Sequence, residues 1–299
     1  MIRVLLTGRN GQVGWELERS LQPIGAVTAV DRNRCDLLDL DALRATLDEV
    51  RPQLIVNAAA YTAVDKAQSE PEQAFRVNAE APGLMAEWAT RHGAALVHFS
   101  TDYVFSGEGN VPYTETDAVA PLSVYGQSKL AGEQAVQSSG CPHFILRTSW
   151  VYGSRGHNFL RTILRLASER DELRIVDDQW GAPTWARSIA DATACLIAAA
   201  SSQGGDLSSR IQDRGGVFHL TSGGSTTWHG FARAILEHSG TAQRVRLVPI
   251  RSEEYPTPAR RPGNSRLSGE KIEVNWGIRL PDWSESLRLC LADMPATGR

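Results

Sequence analysis

The sequence predicts an α/β protein: a doubly wound parallel sheet with a smaller mixed α/β lobe formed mainly by C-terminal segments. Three observations carry this. Short apolar runs in the first half alternate with stretches of helical spacing, the pattern of right-handed βαβ units and a parallel sheet. A glycine-rich turn follows the first apolar run directly. Past Trp150 the alternation gives way to shorter, more polar segments.

The elements follow in order. "IRVLLTG" reads as a buried strand ended by Gly8. Val13, Leu17 and Leu21 then fall on one helical face. "AVTAVD" is a second strand closing on Asp31, and "DLDALRATLDEV" a helix with Asp39 as its cap. "PQLIVNAAA" is a third strand. "EPEQAFRVNAEAPGLMAEWATRHG" reads as one long helix with Pro71 near its start, and "ALVHFST" as a fourth strand. A helix holding Tyr125 and Lys129 leads to a fifth strand, "HFILRTS". Beyond it, "NFLRTILRLASER" and "SIADATACLIAAA" are helical, while "LRIVDDQ" and "VFHLTSGG" are strands. "SSQGGDLSSRIQDRGG" is polar and rich in Gly and Ser, which predicts a surface loop.

Composition bounds the function. The chain has 299 residues, 42% hydrophobic and 22% charged, as in globular proteins that bury a sizeable core. A formal charge of −3 gives no general attraction to nucleic acid or membrane, so an anionic ligand needs local positive charge. No apolar run is long enough for a membrane span, and the N-terminal run is too short for a signal peptide. Cys35, Cys141, Cys195 and Cys290 are scattered, which predicts free thiols and a cytoplasmic location. The histidines lack metal-ligand spacing, so no structural zinc is expected.

"TGRNGQVG" places Gly8, Gly11 and Gly14 between a strand and a helix. Glycine permits the tight turn and close approach of a pyrophosphate, and the helix start offers free N–H groups and a positive dipole end. Asp31, at the second strand's end, is placed for an adenosine ribose hydroxyl, whereas Arg32 beside it suits a 2′-phosphate. The two cues conflict, so NADH and NADPH both stay open.

Tyr125 and Lys129 are one helical turn apart. An ammonium near a phenol favours the phenolate, so a buried Lys129 together with a cationic nicotinamide is expected to lower the Tyr125 pKa towards neutrality and make it a proton donor for a carbonyl oxygen. Thr101, at the carboxyl end of the fourth strand, is placed to hydrogen-bond the same oxygen. Open parallel sheets bind ligands outside those strand ends, so the glycine turn, Thr101 and the Tyr125–Lys129 helix converge on one crevice. Trp150 follows a strand end, where a flat ring can lie against a sugar. Arg260, Arg261 and Arg266 in "ARRPGNSRL" offer forks for a diphosphate, with Arg261 the principal candidate.

The glycine turn, "NAAA", "STDYVFSG", "VYGQSKLAGE", "RTSWVYG", "DDQWGAPT" and "RPGNSRL" together resemble the extended short-chain dehydrogenase/reductase family, and within it the sugar-nucleotide reductases, over residues 11–267. The resemblance implies a Rossmann core at 1–150, joined by segments near 177–222, and a substrate-binding lobe from 151–176 and 223–299. It implies NADPH- or NADH-dependent reduction of the C4 ketone of dTDP-4-dehydro-β-L-rhamnose to dTDP-β-L-rhamnose, the last step towards a sugar donor for cell-surface polysaccharides such as O-antigen. Thr101, Tyr125 and Lys129 would be catalytic. Gly8, Asn10, Gly11, Gln12, Val13, Gly14, Asp31, Arg32, Asp36, Leu37, Ala58, Ala59, Ala60, Tyr125 and Lys129 would hold the cofactor. Val64, Thr101, Asp102, Tyr103, Tyr125, Trp150 and Arg261 would contact the dTDP-sugar.

The family's magnesium positions fall at Glu16, Arg187 and Asp293. A cation at Arg187 opposes Mg²⁺, so no metal is expected, and a homodimer, if formed, would use other contacts, such as an Arg187–carboxylate pair. Neither nucleic acid nor membrane is an expected partner, and a monomer is equally compatible. Two other readings keep the fold: a sugar-nucleotide epimerase or dehydratase, and a non-catalytic regulatory subunit. Asp102 is followed by Tyr103, which leaves no Glu there for elimination, and intact Thr101, Tyr125 and Lys129 weigh against a pure binding role.

Overall fold

The computed structural model describes residues 1–201, 206–240 and 242–294. Six parallel strands form the central sheet: β1 (Ile2–Thr7), β2 (Gly25–Val30), β3 (Leu54–Asn57), β4 (Ala95–Thr101), β5 (His143–Thr148) and β10 (Gly216–His219), in the spatial order β10-β5-β4-β3-β1-β2. The short remaining strands are β6 (Val151–Tyr152), β7 (Glu172–Val176), β8 (Trp180–Gly181), β9 (Thr184–Trp185), β11 (Thr226–Thr227) and β12 (Arg246–Ile250). They pair two by two, β12 with β7, β11 with β8 and β6 with β9.

Helices α1 (Gln12–Ser20), α2 (Leu40–Val50), α3 (Val64–Ala67), α4 (Pro71–Phe75), α5 (Ala81–His92) and α6 (Val124–Ser138) link the first five strands. Later come α7 (Phe159–Glu169), α8 (Ala186–Ser201), α9 (Leu207–Arg214), α10 (Trp228–His238), α11 (Glu270–Trp276) and α12 (Trp283–Ala292). The sheet is apolar on both faces, as parallel sheets are. Val4, Leu6, Val56, Val97 and Leu146 pack with α1, α8 and α11 on one side. Leu5, Ile55, Leu96 and Ile145 pack with α2 and α5 on the other. A separate cluster gathers Tyr152, Leu160, Ile163, Trp185, Phe231, Ile235 and Leu287 around α7, α10 and α12. Ile272, Ile278 and Leu280 of the C-terminal segment join the core of the sheet instead.

Local chemistry sets the element ends. The Asp39 carboxylate accepts from the N–H groups of Asp41 and Ala42 and so caps α2. Ser123 caps α6 through Gly126 N–H. Two elements differ from expectation. The single long helix predicted from Glu70 onwards is α4 and α5 joined by a π-helical turn, Arg76–Glu80, in which the Ala81 N–H reaches back to Arg76 O. Pro82, just beyond, has no N–H to give to the carbonyl of Asn78, so the ordinary ladder cannot continue there. The polar stretch predicted as a loop contains α9, because Asp206 caps it through Ser209 N–H and Leu207 and Ile211 bury one stripe. Residues 202–205 of that stretch lie outside the described residues.

β1 crosses to β2 on one side and the chain returns to β3 on the other, so the loops after β1 and β3 part above their carboxyl ends. Such a switch point opens a crevice. Gly8 ends β1 there with φ +77°, and a side chain on it would strike the backbone of Ala58 and Ala59 after β3.

Candidate active site

The first half of the site is the glycine turn. Gly11 N–H donates to Gly8 O at 2.9 Å. A Cβ on Gly14 would lie 2.1 Å from Gly8 O, so only glycine lets α1 start this close to β1. Gly11, the N-cap of α1, supplies no side-chain acceptor, and the first turn holds no acidic residue. Open N–H groups and an unopposed dipole end at a cradle that a Cβ would fill suit a pyrophosphate. Gln12 and Val13 begin the helix. Ala58, Ala59 and Ala60, all half-buried, form the opposite lip.

Asp31 closes β2. Its carboxylate accepts from the Asn10 side chain at 3.2 Å and from Asn33 N–H at 3.0 Å, which brings Asn10 and Asp31 together. Arg32 is exposed and pairs loosely with Asp36 at 3.4 Å. Leu37 is buried beneath. Both ribose cues therefore face the same rim. Asn158 is a member that sequence reasoning missed. It caps α7, and its amide also donates to Gln12 Oε1 at 2.9 Å, tying the glycine turn to the later segments. No local pattern marks a contact between residues so far apart in the chain.

The second half lies at the end of β4. The Thr101 hydroxyl donates to Asp102 Oδ1 at 3.0 Å and accepts from Tyr103 N–H. Asp102 is 3% exposed and its Oδ2 has no hydrogen-bond partner. Burial raises its carboxyl to about 6, against the pull of the Ser265 and Thr101 hydroxyls. Tyr125 projects from the first turn of α6, and its ring meets Tyr103 edge-on, centroids 5.5 Å apart. Gly126 lets α6 press on the turn after β4, since a Cβ there would lie 2.2 Å from Tyr103 O.

The protein's own groups do not by themselves lower the Tyr125 phenol. Burial pushes its phenol up to about 12, Thr101 pulls it partly back, and the Asp102 charge adds to the rise. Lys129 does not counter this. Its Nζ donates to Phe99 O at 2.5 Å and lies 3.3 Å from His98 Nε2, deep in the fold. Burial lowers its own pKa to about 8 despite the nearby Glu133 carboxylate.

Arg261 enters from the C-terminal loop. Its Nη2 donates to Asp65 Oδ2 at 2.7 Å, beside Val64 at the start of α3, while its buried Nη1 has no partner. The guanidinium also helps hold down the Tyr103 phenol, which burial otherwise drives far up. Arg260 is exposed, and Arg266 donates to Asn264 and lies over Trp180. Trp150 adopts φ +48°, and its ring stacks on Trp228 at 3.6 Å. One flat face of the ring is thus packed against another indole.

The carboxylates of Glu16 and Asp293 are bridged by Arg187 within one chain, at 3.1 and 2.9 Å. A guanidinium between them does not fit a magnesium site. The carboxylates that Arg187 pairs with are those of its own chain. Among the described residues, no group of three or more His, Cys, Asp or Glu side chains is placed to hold a metal. All four cysteines are free. No helix among the described residues is long and apolar enough to cross a membrane.

The family model of the RmlD substrate binding domain matches residues 2–295. A dTDP-4-dehydrorhamnose reductase of Burkholderia thailandensis is 49% identical, over 98% of this chain and 99% of the relative. Another of that name from Escherichia coli is 45% identical, over 99% of both. Among solved structures, dTDP-4-dehydrorhamnose reductase of Bacillus anthracis in complex with NADP superposes with a TM-score of 0.89 at 33% identity, covering 98% of this chain and 99% of the other. UDP-glucose 4-epimerase of Thermus thermophilus, 22% identical with a TM-score of 0.80 over 99% of this chain and all of the other, shares the fold.

Proposed function

This chain belongs to the family of the RmlD substrate binding domain, and from that premise we propose that it reduces the C4 ketone of dTDP-4-dehydro-β-L-rhamnose to dTDP-β-L-rhamnose, with NADPH or NADH as reductant. The observation that carries this reading is the meeting of Thr101 and Tyr125 at the carboxyl end of β4, in a chain 45–49% identical over its length to reductases of that name. The nicotinamide cofactor supplies a hydride when bound. Gly8, Gly11, Gly14 and the first turn of α1 hold its diphosphate, and Asp31 with Arg32 meets its ribose.

Tyr125 holds its proton because burial disfavours the phenolate. It releases that proton to the alkoxide oxygen as negative charge develops there. Thr101 is the second hydroxyl at that oxygen once it turns away from Asp102. Arg261, with an unpartnered Nη1, takes the sugar diphosphate. Val64, Asp102 and Tyr103 line the sugar, and Trp150, its face covered by Trp228, meets it through the ring edge and indole N–H. In this reading residues 1–150 with 177–222 serve the cofactor, residues 151–176 and 223–299 serve the sugar nucleotide, and the enzyme works in the cytoplasm.

The test is nicotinamide absorbance at 340 nm with the keto-sugar nucleotide. Stoichiometric oxidation of the cofactor is expected. Turnover without net oxidation would instead identify an epimerase or dehydratase, and silence a regulatory subunit.

A further inference from the structure

Behind Lys129 a line of hydrogen bonds crosses the sheet. Asn57 Oδ1 accepts from Thr7 Oγ1 at 2.7 Å and from the Ala59 N–H at 3.2 Å. A backbone N–H can only donate, so the Asn57 oxygen must face it. The Asn57 Nδ2 therefore faces His98 Nδ1, at 3.1 Å. Nδ1 must accept, which leaves a neutral imidazole with its proton on Nε2. That Nε2–H is 3.3 Å from Lys129 Nζ. An amine has a lone pair to accept it, but an ammonium meets it donor against donor.

We infer that His98 is a positioning residue for Lys129: locked by Asn57 with its proton on Nε2, it presents an N–H to the lysine nitrogen and so weakens that nitrogen's hold on its third proton. His98 cannot relieve the conflict by moving its proton to Nδ1, because the Asn57 amide would then have to turn over and lose the Ala59 N–H. His98, Asn57 and Lys129 are all fully or almost fully buried, so no solvent mediates. The other ionisable groups facing the pair are few. Glu133, one turn further along α6, would favour an ammonium, but Arg147 on β5 already grips its carboxylate with two hydrogen bonds. Tyr125, one turn back, is a neutral phenol. His143 on β5 only adds to the bias against charge on His98. Burial independently holds His98 well below the ordinary imidazole range and Lys129 to about 8.

The consequence rests on the reading of Lys129 as helper of Tyr125. The lysine is then still mostly an ammonium at neutral pH, able to favour a phenolate, and His98 helps set the pH above which it loses that proton.

The chain has three lysines, Lys66, Lys129 and Lys271. Carbon-13 labelling at lysine Cε therefore gives three signals whose shifts follow protonation, assigned through Lys66→Arg and Lys271→Arg. In the ligand-free full chain Lys129 is expected to titrate near pH 8, well below Lys66, whose Glu70 partner raises it. In His98→Gln the amide oxygen can turn to the ammonium, and the Lys129 midpoint should rise by about one unit, tenfold in proton affinity. Nitrogen-15 shifts of the unaltered protein should show His98 protonated on Nε2 and bare on Nδ1. A midpoint for Lys129 level with that of Lys66, one unmoved by His98→Gln, or the opposite tautomer would each overturn the inference. None of these measurements involves a sugar nucleotide, so failure of the reductase reading would leave them standing.

Discussion

Two buried polar groups sit along one stripe of α6 and are built in opposite ways. At one end, Glu133 accepts from Ser100 at 2.5 Å and from Arg147 Nε and Nη2 at 2.9 and 2.6 Å, and the guanidinium also lies 5.1 Å over the Phe105 ring. At the other, half-buried Tyr125 stands beside Asp102, which is buried with no hydrogen-bond partner on Oδ2. Both ends cost desolvation. The Glu133 carboxylate recovers it within the fold, although Arg147 Nη1 beside it has no partner. Satisfied burial holds α6 against β4 and β5, whereas unsatisfied burial leaves groups whose protons and hydrogen bonds await another molecule.

The sharpest way to break that contrast is to exchange the phenotypes. Tyr125→Phe should cut turnover roughly 10³–10⁴-fold, near the upper range for a positioned proton donor, while leaving the denaturant midpoint within error. A large loss of stability would mean that Tyr125 belongs to the scaffold. Glu133→Gln should do the reverse. Removing one charge of a buried pair costs about 3 kcal/mol, read from urea unfolding, because Arg147 is left uncompensated.

Asp102 refines the comparison through pH. Its folded pKa of about 6 lies above the ordinary 3.8, so between these values the folded state holds a proton that the unfolded state has lost. Its contribution to stability is present below pH 4 and is lost as pH rises to 6, by about 2–3 kcal/mol. Asp102→Asn should flatten that slope in unfolding curves collected from pH 4 to 7. The smallest effect is expected at the rim. Arg261→Ala should raise the KM for the sugar nucleotide about tenfold, near 1.4 kcal/mol, with kcat little changed. An unaltered KM would remove Arg261 from the diphosphate site.

Much of this was legible in the chain itself. The alternation of apolar runs and helical spacing marked the first five strands, and Gly8, Gly11 and Gly14 marked the turn, because these signals are local. Thr101, Tyr125 and Lys129 were legible because their spacing carries a geometry. The ion pair of Glu133 with Arg147, the Asn158–Gln12 tie and the His98 contact were not, since each depends on which elements fold against one another. The setting of the Tyr125 phenol was hidden for the same reason. Spacing puts an ammonium on the right face of α6, but only packing shows Lys129 drawn to Phe99 O and His98. The helices α10, α11 and α12 escaped notice where the alternation was irregular, and α9 was hidden by its Gly- and Ser-rich flank.

The π-helical turn at Arg76–Glu80 has a consequence for what insertions the family's scaffold tolerates. It seats Asn78 so that its side chain accepts from Tyr61 N–H and donates to Tyr61 O and Ser128 Oγ, clasping the segment after β3 to α6. Deleting one residue of this turn would restore ordinary winding and leave the flanking helices nearly in phase, but it would remove the wider turn that seats Asn78. The clasp would open, so the extra residue between Pro71 and Pro82 serves to place the Asn78 amide.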